Sequence, residues 1–207
     1  MFNFIRELLK PRMLNPAEKT AKLLAGVQVK KLVVGGGSII HEADWISTDI
    51  EILDVTDADS WSRLLGKGKL SNVFAEHVWE HLTHEQSEAA NKNVFNHLKP
   101  GGCFRIAVPD GYMPDPTYID YVKPGGHGPG AEDHKILYNY ITLRESLERV
   151  GFQVVMLEYW DENGKFHFNE WSTEQGKVLR SKRFDQRNVS GELKYTSLII
   201  DAVKPNA

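Results

Sequence analysis

Residues 72–110 read NVFAEHVWEHLTHEQSEAANKNVFNHLKPGGCFRIAVPD, and the punctuation inside this stretch decides the fold. Residues 72–76 are a short apolar run that reads as a strand. Thr83 can cap a helix, with Gln86 three residues on completing a capping box, and that helix ends at Leu98. Pro100, Gly101 and Gly102 stop it before the β-branched and aromatic run 104–108. Strand, helix, glycine stop and second strand make a βαβ unit, whose carboxyl edge suits a nucleotide-type ligand.

Toward the amino terminus, Asn15 as N-cap, Pro16 at the first helical position and Gly26 at the end delimit a helix. The first core strand follows at residues 29–34 and closes on Gly35, Gly36 and Gly37. Three glycines let the backbone approach a ligand and turn without a Cβ clash, although a plain tight turn gives the same pattern. Residues 45–48 and 50–55 read as two more extended pieces separated by Asp49, and residues 59–65 as a short helix. One crossover helix is missing or shrunken between them.

Toward the carboxyl terminus, residues 110–136 form a long loop rich in proline and glycine, the kind of structureless stretch that serves as a lid or substrate loop. Thr142 with Glu145 suggests a second capping box, and that helix stops at Gly151 before a strand at 152–159. The last strand is 195–203. Between these strands, residues 160–194 are a polar insertion with turns around a small extra element. Strands alternating with helices predict a mostly parallel, doubly wound α/β sheet.

The chain has 207 residues, which suits one domain, since a domain usually holds roughly 100 to 200. We expect a single domain over 1–207, with a helical extension over 1–26 and the 160–194 insertion. Net charge is −3 and the pI near 6.2, with lysine and arginine scattered, which argues against a dedicated nucleic-acid surface. Cys103 is the only cysteine, so an internal disulfide and a thiolate metal site are excluded and a buried core role is expected. No apolar run approaches the ~20 residues that cross a bilayer, and the start MFNFIRELLKPR lacks a signal peptide, so a cytoplasmic location is expected. Phe2, Phe4, Leu8 and Leu9 give that first segment an apolar face suited to packing on the domain or on a second subunit, as in a homodimer.

The glycine triplet, the EHVWEHL strand exit and the LKPGG turn together resemble the class I S-adenosylmethionine (SAM)-dependent methyltransferase family, its type 11-like members included. The resemblance spans residues 30–205, with its specific motifs confined to 33–55, 72–110 and the helix before Gly151. It implies a Rossmann-like sheet of about seven strands in the order 3-2-1-4-5-7-6, the last strand antiparallel. It also implies SAM as cofactor and an enzyme that methylates a small-molecule or sugar-type acceptor. The family's first strand commonly ends in an acidic residue before GxGxG, whereas Val33 and Val34 stand here, which leaves the contact to the methionine part unassigned.

A ribose offers two adjacent hydroxyl donors, and a carboxylate after the second strand can accept both. Asp49 is the candidate, with Ile50 beside it. Asp54 can accept from an adenine amino group while the Val55 N–H meets a ring nitrogen, and the compressed spacing makes the two acidic roles exchangeable. Asp57 reads instead as a helix cap. The resemblance adds Glu76 and His77 to the cofactor pocket, beside Gly35, Gly36, Gly37, Asp49, Ile50, Asp54 and Val55.

Methyl transfer from a sulfonium is an in-line displacement, so the protein chiefly positions the nucleophile and, where that nucleophile is protonated, removes a proton. His77, His134 and Asp110 are the catalytic candidates. His127 is as well explained as a surface residue, and Tyr112, Tyr118, Tyr121 and Tyr138 could wall a substrate. His77 and His81 are four apart, but the order EHVWEH is not HExxH, the segment starts as a strand, and a third ligand is wanting. No metal is expected, and His81 reads as a buried polar contact, Trp79 and Leu82 as core. Two rival readings remain: a SAM-binding scaffold or sensor subunit of the same fold, motivated by the missing acidic residue, and a nicotinamide-dependent dehydrogenase, which lacks a continuing GxGxxG.

Overall fold

The computed structural model describes residues 31–36, 44–66, 69–188 and 191–206. The 15–26 helix, the apolar segment at 2–9 and Gly37 lie outside these residues. Seven strands form one sheet in the order β2-β1-β3-β4-β7-β5-β6. They are β1 (Lys31–Val34), β2 (Trp45–Ser47), β3 (Leu70–Glu76), β4 (Leu98–Pro109), β5 (Gln153–Trp160), β6 (Phe166–Phe168) and β7 (Ser197–Val203). The first four are mutually parallel, and β7 inserts antiparallel between β4 and β5. The carboxyl ends of β1 to β4 therefore share one rim.

Helix α1 (Ala58–Leu65) is capped by Asp57, whose carboxylate accepts the N–H groups of Asp59 and Ser60. Helix α2 (His84–His97) starts in the expected Thr83 and Gln86 capping box. It stops because Pro100 forbids helical continuation, and β4 begins at once on Leu98. Helix α3 is Pro116–Val122 and helix α4 Tyr140–Glu148.

Period-two alternation sorts the strand residues onto two faces. Val34, Ala75, Phe104, Ile106 and Ile200 join the larger core with Trp61, Val94 and Leu147 of the helices. Val33, Phe74, Ala107 and Ile199 face the other way and are covered by Trp171 and Val178 of the segment after β6. That segment, read from sequence as an insertion, is thus the second layer over the sheet among the described residues. Arg105 ties it down. Its guanidinium donates to both oxygens of Asp201 at 2.7 Å, to the carbonyls of Ser172 and Gly176, and stacks 4.8 Å from the Trp171 ring.

Three expectations need correction. Residues 50–55 are turns, not a third strand, and β6 supplies the seventh strand at the opposite edge. The reason is local: the Asp49 carbonyl accepts the N–H groups of Ile52 and Leu53, and the Asp54 carboxylate accepts the N–H of Thr56, so the backbone turns twice. The 110–136 loop is not structureless, since it holds α3 and a 3₁₀ turn at Ala131–Asp133. Helix α4 starts three residues earlier than expected, because Asn139 caps it and Thr142 is the returning third position of the box. Among the described residues no helix is long and apolar enough to cross a membrane.

Candidate functional site

Two cavities open on the rim of the parallel strands and share His77 and His81. The first, about 370 Å³, is lined by Gly35, Asp49, Ile50, Asp54, Val55 and His77, together with Leu53, Val78, His81, Leu82, Gln86 and Asp133. Six residues singled out from sequence are therefore brought to one place.

The ends of β1 and β2 are locked to each other beside this cavity. Thr48 donates both its N–H and its hydroxyl to the Val33 carbonyl at 2.8 Å, and the Gly36 N–H donates to the Thr48 carbonyl at 3.0 Å. Asp49 consequently projects next to the glycines, with one carboxylate oxygen accepting the Ile50 N–H. Gly35 turns with φ +65°, and a Cβ there would lie 2.4 Å from Cγ2 of Val78. The backbone can thus line the cavity only as glycine. On the far wall the Val55 carbonyl is held by Trp61 Nε1 and Asn93 Nδ2 at 2.9 and 3.0 Å, which fixes the turn carrying Asp54. Ile50 stands 75% exposed, an apolar shelf that a flat ring could cover.

His77 sits between the cavities. Its N–H still donates to the Ala107 carbonyl as the last rung of β3, but its backbone has φ +59°, the one left-handed non-glycine among the described residues. Such a conformation costs on the order of 1 to 3 kcal/mol and points to a functional constraint. The ring is held from both sides: Nε2 is 2.9 Å from the Ser197 hydroxyl and Nδ1 is 3.2 Å from Oε1 of Glu80. Next, Trp79 anchors the 3₁₀ turn Trp79–His81, fully buried against Phe104 and donating to Asn91 Oδ1. That turn presents Glu80 and His81 to the rim.

The second cavity, about 340 Å³, is lined by His77, Glu80, His81, His134, Tyr121, Tyr195, Arg180 and Arg187, and by the backbone-rich stretch around Gly128 and Ala131. His134 comes from the loop. Its Nδ1 lies 2.6 Å from the Val122 carbonyl, so that nitrogen carries the hydrogen and Nε2 keeps the lone pair of the neutral ring. The His81 and His134 rings meet edge to face at 4.7 Å. Tyr195 is clamped between Tyr118 and the Arg187 guanidinium, 3.6 Å above its ring, and burial pushes its hydroxyl pKa up to about 12. The hydroxyl is therefore a donor at neutral pH. Arg187 is itself paired bidentately with Asp185.

The other sequence candidates fall elsewhere. Asp110 lines neither cavity: it is fully buried and its two oxygens accept the N–H groups of Tyr112 and Trp160, clamping β4 to β5. The Glu76 carboxylate accepts the N–H groups of Leu179 and Arg180. Of the four loop tyrosines only Tyr121 reaches the second cavity, and His127 packs on Tyr121 without lining it. Tyr118 receives the Asp110 N–H, and Tyr138 donates to Ser87. Trp79 is core as expected, and Leu82 packs against the core while also lining the first cavity. Sequence reasoning missed Arg180, Arg187 and Tyr195. The sequence has a short basic group, Arg180 to Arg183, that contains the first of these but neither of the others, and nothing in sequence placed that segment over the rim.

No protein-family model matches the chain, and no curated protein sequence matches it. Solved structures do. A SAM-dependent methyltransferase from Archaeoglobus fulgidus superposes with a TM-score of 0.50 at 18% identity, covering 98% of this chain and 99% of the other. A SAM-dependent methyltransferase from Thermotoga maritima gives a TM-score of 0.51 at 12% identity, covering 98% and 95%.

Proposed function

Because the chain has the Rossmann-like fold of the class I SAM-dependent methyltransferases, we propose that it is one, transferring a methyl group from SAM to a small-molecule or sugar-type acceptor. The observation that carries this reading is the pair of adjoining cavities on the rim, one built of glycine backbone and spaced carboxylates, the other of histidine, tyrosine and arginine.

In this reading the first cavity holds the cofactor. Gly35 and Gly36 supply the close backbone approach, with Gly37 next in sequence. Asp49 accepts from the ribose hydroxyls, Ile50 covers the adenine, and Asp54 with Val55 reads its polar edge. The residues present fit such a group: a Cβ at Gly35 would close the cradle, and Ser47 Oγ beside Gly36 is buried without a hydrogen-bond partner among the described residues. When bound, SAM supplies a sulfonium-activated methyl group.

The chain's own part is to hold the acceptor in line and to accept its proton. His134 is the base, because the Val122 carbonyl leaves Nε2 free to receive a proton at the second cavity. His77 divides the two cavities and orients groups on either side. Asp110 and Glu76 act as positioning residues. Calorimetric titration with SAM and with S-adenosylhomocysteine tests the reading, with release of the latter measured over a panel of hydroxylated and glycosidic acceptors. Saturable binding that is lost in Asp49→Ala is expected, and no heat with millimolar cofactor would end the proposal.

A further inference from the structure

The second cavity contains a cluster for which methyl transfer alone gives no account. One carboxylate oxygen of Glu80, one ring nitrogen of His81 and one of His134 lie within 4.8 Å of one another. Glu80 is fully buried, and neither of its carboxylate oxygens receives a well-directed hydrogen bond among the described residues; Nδ1 of His77 lies 3.2 Å from Oε1. A buried carboxylate with so little compensation is costly unless a positive charge faces it.

The histidines are arranged as metal-binding histidines are. A ligating imidazole almost always donates its other N–H to a carbonyl or carboxylate, which fixes ring orientation and raises basicity. Nδ1 of His134 faces the Val122 carbonyl at 2.6 Å, and Nδ1 of His81 faces the Asp133 carboxylate at 3.4 Å. In both rings Nε2 is left as the lone-pair nitrogen. The third ligand that the EHVWEH segment cannot supply by itself arrives from the 110–136 loop as His134.

We propose that Glu80, His81 and His134 bind a divalent first-row transition-metal ion, with a coordination position left open to the second cavity. Two imidazoles and a carboxylate suit ions of the manganese-to-zinc series, whereas magnesium and calcium favour all-oxygen sets. Bonds of about 2.0 to 2.2 Å require the three donors to close in by roughly 1 Å, a movement open to the loop-borne His134. An ion there would occupy the Nε2 lone pair of His134, so in the metal-loaded protein the ion, holding and acidifying an oxygen of the acceptor, would replace that histidine as the means of removing the proton. The acceptor's part rests on the methyl-transfer reading, while ion binding stands without it.

The test uses the full chain, stripped with chelator and dialysed against zinc or cobalt salts, without SAM. One ion per chain by mass spectrometry is expected, with the visible absorption of histidine-ligated cobalt. Affinity should fall at least 10-fold in Glu80→Gln and in His134→Ala. His81→Ala should behave alike, and with a side chain 32% exposed it is the change least able to disturb folding. His84→Ala, outside the cluster, should bind as the parent does. Substoichiometric metal, or equal retention in all variants, means an adventitious ion only and overturns the proposal. SAM binding with no metal would sink the metal site and leave methyl transfer intact.

Discussion

The Glu76 carboxylate accepts the backbone N–H of Arg180 at 2.8 Å and that of Leu179 at 3.0 Å. The strand that delivers His77 to the rim therefore also grips the segment that brings Arg180 and Arg187 over the second cavity. Hydrogen bonds to a charged group contribute about 1.5 to 3 kcal/mol each. Glu76→Ala should lose on the order of 3 kcal/mol in urea unfolding. If Glu76 positions that segment, the acceptor KM rises while SAM affinity stays near the parent value. A selective loss of SAM binding would instead place Glu76 in the cofactor pocket.

Much of this was legible in sequence because it is local. The Thr83 box, the Asp57 cap and the Pro100 stop are settled within a few residues, whereas the lateral order of the strands came only from the family resemblance. The first cavity was legible for a related reason: its residues follow directly on strands whose carboxyl ends share a rim. Asp49 and Asp54 misled at 50–55, where the alternation of a strand and the side-chain bonding of a turn compete and the turn wins. The second cavity was legible only in His77, His134 and Tyr121. Glu80, His134, Arg187 and Tyr195 meet only through tertiary contact, and the Arg105 anchor that lays the later segment on the sheet has no signature in its neighbours along the chain.

Gly35 carries the sharpest steric prediction. With φ +65° and a virtual Cβ 2.4 Å from Val78, Gly35→Val must shift either the β1 exit or the turn that leads into Trp79. SAM affinity is expected to fall by more than 10-fold, with a melting temperature lowered by several degrees, on the order of 1 to 2 kcal/mol. Calorimetry and thermal unfolding on one preparation separate the two effects. Unaltered SAM binding in a folded variant would remove Gly35 from the cofactor cradle.

Asp110 makes stability depend on pH. Burial raises its pKa to about 6, against the lowering by the Trp160 and Tyr112 N–H groups. The folded state thus binds this proton more tightly than the unfolded chain, where an aspartate titrates near 3.9. The stabilising contribution is fully present below about pH 4 and is lost as pH rises through about 6, a change of roughly 3 kcal/mol. Asp110→Asn abolishes this titration. Urea unfolding from pH 4 to 7 should show the variant gaining on the parent as pH rises, and a constant difference would contradict the assignment.

The Arg105 and Asp201 pair separates partner loss from pair loss. The two side chains face each other across β4 and β7, and Arg105 is almost fully buried. Asp201→Asn leaves a guanidinium under Trp171 with its charge uncompensated, so a loss of about 3 to 5 kcal/mol is expected. Replacing both, as Arg105→Met with Asp201→Leu, removes the buried charges but also the bonds to the Ser172 and Gly176 carbonyls. The double variant should therefore recover part of the stability while the segment around Gly176 loosens. Hydrogen exchange resolved by residue checks this: amides from 172 to 180 should exchange faster in the double variant even where its global stability exceeds that of Asp201→Asn. Equal protection there would mean that Trp171 and Val178 hold this layer without the arginine.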